Sequence, residues 1–167
     1  MTTIGPSLTT DLTATEAGFG KGFTVGDLHI DGDGNFARYV LAASNVSQYM
    51  VVSIDGSGNA TPLTSGTALA AQEIGVAHYA NIASASYGWV VVAGRPLVLT
   101  IASCNPSVPI FTTDTAGAVD DATGSASHFY IVGLKVHATN GSSGTGPTRG
   151  TLNMGASVVI PRATGHS

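Results

Sequence analysis

Asp31, Asp33 and Asn35 stand at alternate positions in Asp31-Gly32-Asp33-Gly34-Asn35, the spacing with which a calcium loop presents its first three oxygen ligands. The match stops there. The sixth position of such a loop needs glycine and is Phe36, and the twelfth needs a bidentate glutamate and is Ala42. The segment therefore reads as a turn. The histidines His29, His78, His128, His137 and His166 show no i, i+4 helical spacing and no neighbouring cysteine, so none is expected to ligate zinc or to act in catalysis. Cys104 is the only cysteine; it cannot form an internal disulfide and reads as a small buried filler. Asp120 and Asp121 are adjacent, and on a strand neighbouring side chains point to opposite faces, which argues against a convergent acid and base.

Nucleophile and phosphate motifs are equally lacking. No Gly-x-Ser-x-Gly elbow and no Walker loop occurs, and Gly18-Phe19-Gly20-Lys21-Gly22 and Gly144-Thr145-Gly146 have no strand-loop-helix setting. Asn45, Asn59 and Asn140 head glycosylation-type triplets that carry no meaning without secretion. The expectation is no catalytic residue, no cofactor, no metal and no enzymatic activity.

Charged residues make up 10% of the 167, against about 25% in ordinary soluble domains, with Gly, Ala, Ser and Thr in their place. Six basic and ten acidic side chains leave no cationic stripe for phosphates, so nucleic acid is not an expected partner. The N-terminus lacks the pattern of a secretory signal, and no run of about 18 apolar residues suggests a membrane span. Synthesis in a cytoplasm and solubility through hydroxyls, or through covering by other chains, are expected.

The elements that would hold these residues are short. Residues 1–22 read as an N-terminal arm, and 23–167 as one β-rich domain. Strands are expected over 23–30 and 36–42, joined by the turn 31–35, and over 48–54 and 60–64, joined by Asp55-Gly56-Ser57-Gly58-Asn59. A helical turn or two is expected over 66–73, and further strands over 74–80, 87–93, 97–102, 110–112, 128–138 and 158–160. In 128–138 the period of two puts His128, Tyr130, Val132, Leu134 and Val136 on one core-facing row, opposite Lys135 and His137. Residues 140–150 read as a mobile Gly/Ser/Thr loop. Many short strands and no long amphipathic helix point to an all-β fold, a compact β-barrel or β-sandwich with an extended arm.

The blocks Ile74-Gly75-Val76-Ala77, Tyr87-Gly88-Trp89-Val90-Val91-Val92-Ala93-Gly94, Phe111-Thr112-Thr113-Asp114-Thr115-Ala116-Gly117-Ala118-Val119 and Ile131-Val132-Gly133-Leu134-Lys135-Val136 resemble small β-rich structural proteins of tailed-phage heads. These are capsid decoration, or cement, proteins, and the resemblance covers roughly residues 50–138. It implies a compact β-barrel or β-sandwich, a homotrimer, and a place on the outer capsid surface of the virion, bridging subunits of the phage major capsid protein. Neither nucleic acid nor membrane is an implied partner. The expected oligomer or capsid interface falls on Phe19, Phe23, Tyr87, Trp89 and Arg95. An alternative is a receptor- or glycan-binding module of a tail fibre or spike, with Tyr87 and Trp89 as a stacking platform.

Overall fold

The computed structural model describes residues 12–13, 23–122 and 128–159. Two short strands come first, β1 (Leu12–Thr13) and β2 (Leu28–Ile30). The next five, β3 (Phe36–Ala42), β4 (Val51–Ile54), β5 (Asn59–Pro62), β6 (Glu73–Val76) and β7 (Ser86–Ala93), close into a barrel in the order β3-β7-β6-β4-β5 and back to β3. The last five, β8 (Leu97–Thr100), β9 (Phe111–Thr112), β10 (Val119–Asp120), β11 (Tyr130–Val136) and β12 (Gly146–Val159), close into a second barrel in the order β8-β12-β11-β9-β10. The fold is all-β; the one helical element among the described residues is a 3₁₀ turn at Thr67–Ala70, within the stretch expected to be helical.

The two barrels have the same connectivity. Taking the strands of each in chain order, the first pairs with the fifth, the fifth with the fourth, the fourth with the second and the second with the third, all antiparallel. The third then closes on the first in parallel. Closure falls at the same place, the last residue of the first strand: Ala42 opposite Ala60 in the first barrel and Thr100 opposite Val119 in the second.

Period-two alternation fills each interior. Val40 and Ala42 of β3, Val52 and Ile54 of β4, Ala60 of β5, and Val90 and Val92 of β7 form the core of the first barrel. Val98, Val119, Ile131, Leu134, Val136 and Leu152 form that of the second, and Val51, Leu63, Ile74 and Val76, carried by the first barrel, pack into the same cluster. Burying four such side chains is worth about 6–12 kcal/mol as an upper bound. That rivals the entire stability of a typical domain, about 5–15 kcal/mol, so separating the barrels would cost most of the fold. Backbone bonds run across the same seam: Gly94 and Leu152 exchange N–H to O bonds of 2.8 and 2.9 Å, and Leu99 N–H donates to Tyr49 O at 2.8 Å.

The two Asp-Gly-x-Gly-Asn segments fold as twins. In the first, Asp31 Oδ1 accepts from the N–H of Asp33 and Asn35, and Asn35 Nδ2 donates to Oδ2. Asp55 does the same with Ser57 and Asn59. Gly34 and Gly58 supply the positive φ of +81° and +79° that the tight return requires.

Several expectations are corrected. The strand expected over 23–30 is confined to Leu28–Ile30, because Asp27 Oδ2 caps the N–H of Thr24 and turns the chain before it. The single core-facing row on β11 does not exist: Gly133, at φ +88°, sits in a bulge between Val132 and Leu134. A bulge adds one residue and exchanges the faces, so Ile131, Leu134 and Val136 are buried while Tyr130 and Val132 are exposed. The mobile loop over 140–150 is instead anchored. Asn140 is buried with Nδ2 donating to Thr100 O, Ile101 O and Gly144 O, and β12 begins at Gly146, pairing with β8. Of the expected arm, 1–22, only β1 lies within the described residues, and it pairs with Tyr87 and Ser86 of β7.

Candidate functional site

Trp89 and Tyr39 stand directly opposite on β7 and β3, with side chains on the outward face of the first barrel. Phe23 closes over them, its ring centroid 5.2 Å from Trp89 and 5.6 Å from Tyr39, while Tyr87 stacks on Tyr39 at 5.7 Å and His29 of β2 lies 5.8 Å from Trp89. Edge-to-face and offset contacts at these separations stabilise each pair by about 0.5–1.5 kcal/mol beyond area burial. Trp89 is left only 4% exposed. Of the expected interface residues, Phe23, Tyr87 and Trp89 thus come together within the subunit. Phe19 lies outside the described residues. Arg95 is separate and exposed, on the corner between β7 and β8, where its N–H donates to Asn35 Oδ1 at 2.7 Å.

That corner is where the first turn meets both barrels. Gly94 has φ +130°, and a Cβ there would collide with the Asn35 side chain and lie 2.9 Å from its Cα. Asp31, which organises the turn, also accepts the Tyr79 hydroxyl at 2.7 Å. Burial alone would raise the Asp31 pKa, but hydrogen bonds from Asn35, Tyr79 and the backbone outweigh it and hold the carboxyl below its ordinary 3.8. Its oxygens accept from protein donors, the bonds that organise the turn. Next to Tyr79, His78 Nδ1 accepts the Leu97 N–H at 3.1 Å, a bond from the second barrel to the first. Burial lowers the His78 pKa, consistent with a neutral acceptor nitrogen.

A second group was not anticipated. Cys104, Asp120 and Asp121 bring one sulfur and two carboxylates within 4.8 Å of one another. The strand rule that separates adjacent side chains fails because β10 ends at Asp120, and Asp121 lies in the bend beyond it. Burial, reinforced by the charges of Asp121 and Asp120, pushes the thiol up to about 11, so without a bound cation it is protonated at neutral pH. Asp120 is raised by burial and by its bond with Asp121. Asp121, despite burial, is lowered by the Asn105 amide, which donates to its Oδ2 at 2.8 Å.

The first barrel also carries an open cleft of about 420 Å³ beside Arg38. Its guanidinium is already engaged, with Nε 2.8 Å from Glu73 Oε2 and Nη1 donating to Gly26 O at 3.2 Å.

The outer surface is more distinctive than any cleft. Leu28 and Ile30 are 52% and 56% exposed, and Phe36, opposite Ile30, joins them. On the second barrel Tyr130, Val132 and Val159 are exposed, with Tyr130 against the Phe111 ring at 5.8 Å and opposite Val159. The sequence reading passed over both patches. Gly133 in mid-strand was the available signal for the second. No model of a known protein family matches the chain, and no curated protein matches it in sequence.

Proposed function

We propose that this protein is a structural virion protein, a capsid decoration or cement protein that binds the outer surface of a tailed-phage head as a homotrimer and holds neighbouring major capsid subunits together. The observation that carries the reading is the pair of exposed apolar patches, Leu28/Ile30/Phe36 and Tyr130/Val132/Val159, on separate barrels of a chain with few charges. Contiguous exposed apolar side chains mark contact surfaces, and two distinct patches on one rigid body allow a subunit to touch different neighbours. A ligand that binds only the assembled lattice stabilises it by mass action, and several tethered sites multiply weak contacts into lasting attachment. The resemblance of residues 50–138 to cement proteins agrees with this use. The glycan-binding alternative loses its stacking platform, because Trp89 is 4% exposed and lies under Phe23.

The test is co-sedimentation of purified protein with mature heads lacking their own decoration protein, alongside the sedimentation coefficient of the free protein. Saturable binding that raises the temperature at which heads release DNA is expected. A monomer that leaves heads unbound and equally heat-labile overturns the proposal.

A further inference from the structure

β2 pairs with β3 alone among the described residues, in the register Leu28 to Arg38, His29 to Ala37 and Ile30 to Phe36. Tyr39 N–H donates to Asp27 O, and Asp31 N–H donates to Asn35 O. Antiparallel bonding alternates along a strand, so residues 27, 29 and 31 face β3. The N–H and C=O of Leu28 and Ile30 therefore point the other way, along an outer edge that no described residue covers. The same two residues present exposed apolar side chains on one face, while His29 turns to the other face and rests against Trp89. An edge with unpaired backbone and apolar side chains is a template for a further strand.

We propose that the outer edge of β2 docks an extended segment of another protein, apolar at alternate positions and cationic at its two ends. The charge pattern selects this occupant. Asp27 stands at one end of the edge and Asp31 and Asp33 at the other. The nearby cation, Arg38, is held by Glu73 2.8 Å away. A second copy is disfavoured: antiparallel pairing of two β2 strands about His29 sets Asp27 against Asp31 of the other copy, and like charges directly opposite destabilise a ladder. Lysine or arginine at both ends of a foreign strand meets carboxylates instead. Three residues offer few backbone bonds, so a single docking is weak and is suited to use in many copies. This inference needs only an open edge, and stands whether or not the partner is a capsid subunit.

The experiment is a titration of the isotope-labelled full-length protein, followed by amide NMR, with two synthetic peptides, Lys-Val-Thr-Val-Thr-Val-Lys and its glutamate-ended counterpart. The Leu28 and Ile30 amides are expected to exchange freely with solvent in the protein alone while that of His29 is protected. The lysine-ended peptide is expected to protect and shift them, binding about fivefold or more tighter than the glutamate-ended one, with the difference shrinking at high salt. Ile30→Pro, which removes an outward N–H, should abolish binding; Ile30→Lys, which keeps the strand, should weaken it for the lysine-ended peptide. Asp33→Lys should narrow the preference between peptides. Protection of Leu28 and Ile30 in the protein alone, whether independent of concentration (the chain's own segment) or growing with it (a second copy), overturns the proposal. So does equal binding of the two peptides, indifference to both Ile30 substitutions, or no shift with either peptide.

Discussion

In the first barrel the outward faces of the second and fourth strands, β4 and β6, carry Val51, Ile74 and Val76 and are buried against the second barrel. In the second barrel the corresponding strands, β9 and β11, carry Phe111, Tyr130 and Val132 outward, and Tyr130 and Val132 remain exposed. The first and fifth strands differ as well. β3 and β7 hide Tyr39 and Trp89 beneath Phe23, whereas β8 lies against the first barrel through the bonds from Leu97 and Leu99 to His78 and Tyr49. One connectivity thus supports opposite surfaces. Strand alternation creates an outward row in both barrels, and what that row touches depends on which body lies beside it.

The strongest challenge to this comparison is at the seam. Gly94→Val puts a branched side chain into Asn35 at φ +130° and should destabilise by about 4 kcal/mol or more. Because the core of the second barrel extends over Val51, Leu63, Ile74 and Val76 of the first, Trp89 fluorescence and far-UV dichroism should be lost in one coincident transition. Two separated transitions would mean that the barrels fold independently. Next in size, Ile74→Ala, on the buried outward row, should cost about 3 kcal/mol, while Tyr130→Ala, on the equivalent exposed row, should stay within about 0.5 kcal/mol. Urea midpoints decide it, and equal costs would erase the distinction between the rows.

Asn140→Ala should cost about 2 kcal/mol, since three carbonyls lose their donor. Faster amide exchange confined to residues 140–150 and β8 would mark the loss as local to the second barrel. The smallest effect is one of pH. The folded protein keeps His78 neutral below its ordinary 6.5, with Asp31 and Asp33 opposing and Arg149 reinforcing the dominant effect of burial. Its contribution is therefore complete above pH 6.5 and declines as pH drops through the folded pKa, because the unfolded chain takes up the proton first. His78→Gln should flatten that part of the stability curve. Asp31 and Asp55, both held below 3.8, contribute in the same sense at lower pH, with stability present above 3.8 and lost as pH falls through their folded pKa values.

Much of the strand pattern is legible in local chemistry. β3 falls at 36–42 as expected, and the corner Gly94-Arg95-Pro96 separates β7 from β8, where Gly94 takes φ +130° and Pro96 has no N–H to donate. Both Asp-Gly-x-Gly-Asn turns are equally legible, their bonds lying within five residues. The two-residue strands are not. Val119–Asp120 has too few residues to show a period, and it forms because Thr100 and Thr112 stand on either side of Val119. The aromatic residues proposed for an interface were recognisable as a group, but the burial of Trp89 follows from Phe23, 66 positions away.

The sequence by itself determined an all-β chain, the strand at 36–42, the corner between β7 and β8, and two self-contained turns, since backbone sterics and side-chain bonds over a few residues act before any tertiary contact exists. Only the folded molecule decided that ten strands divide into two barrels of one connectivity, that Gly133 exchanges the faces of β11, and that Leu28 and Ile30 stay in the open. Those outcomes depend on which distant strand supplies the next row of hydrogen bonds and apolar surface, and alternation along a strand specifies two faces without specifying which of them meets water.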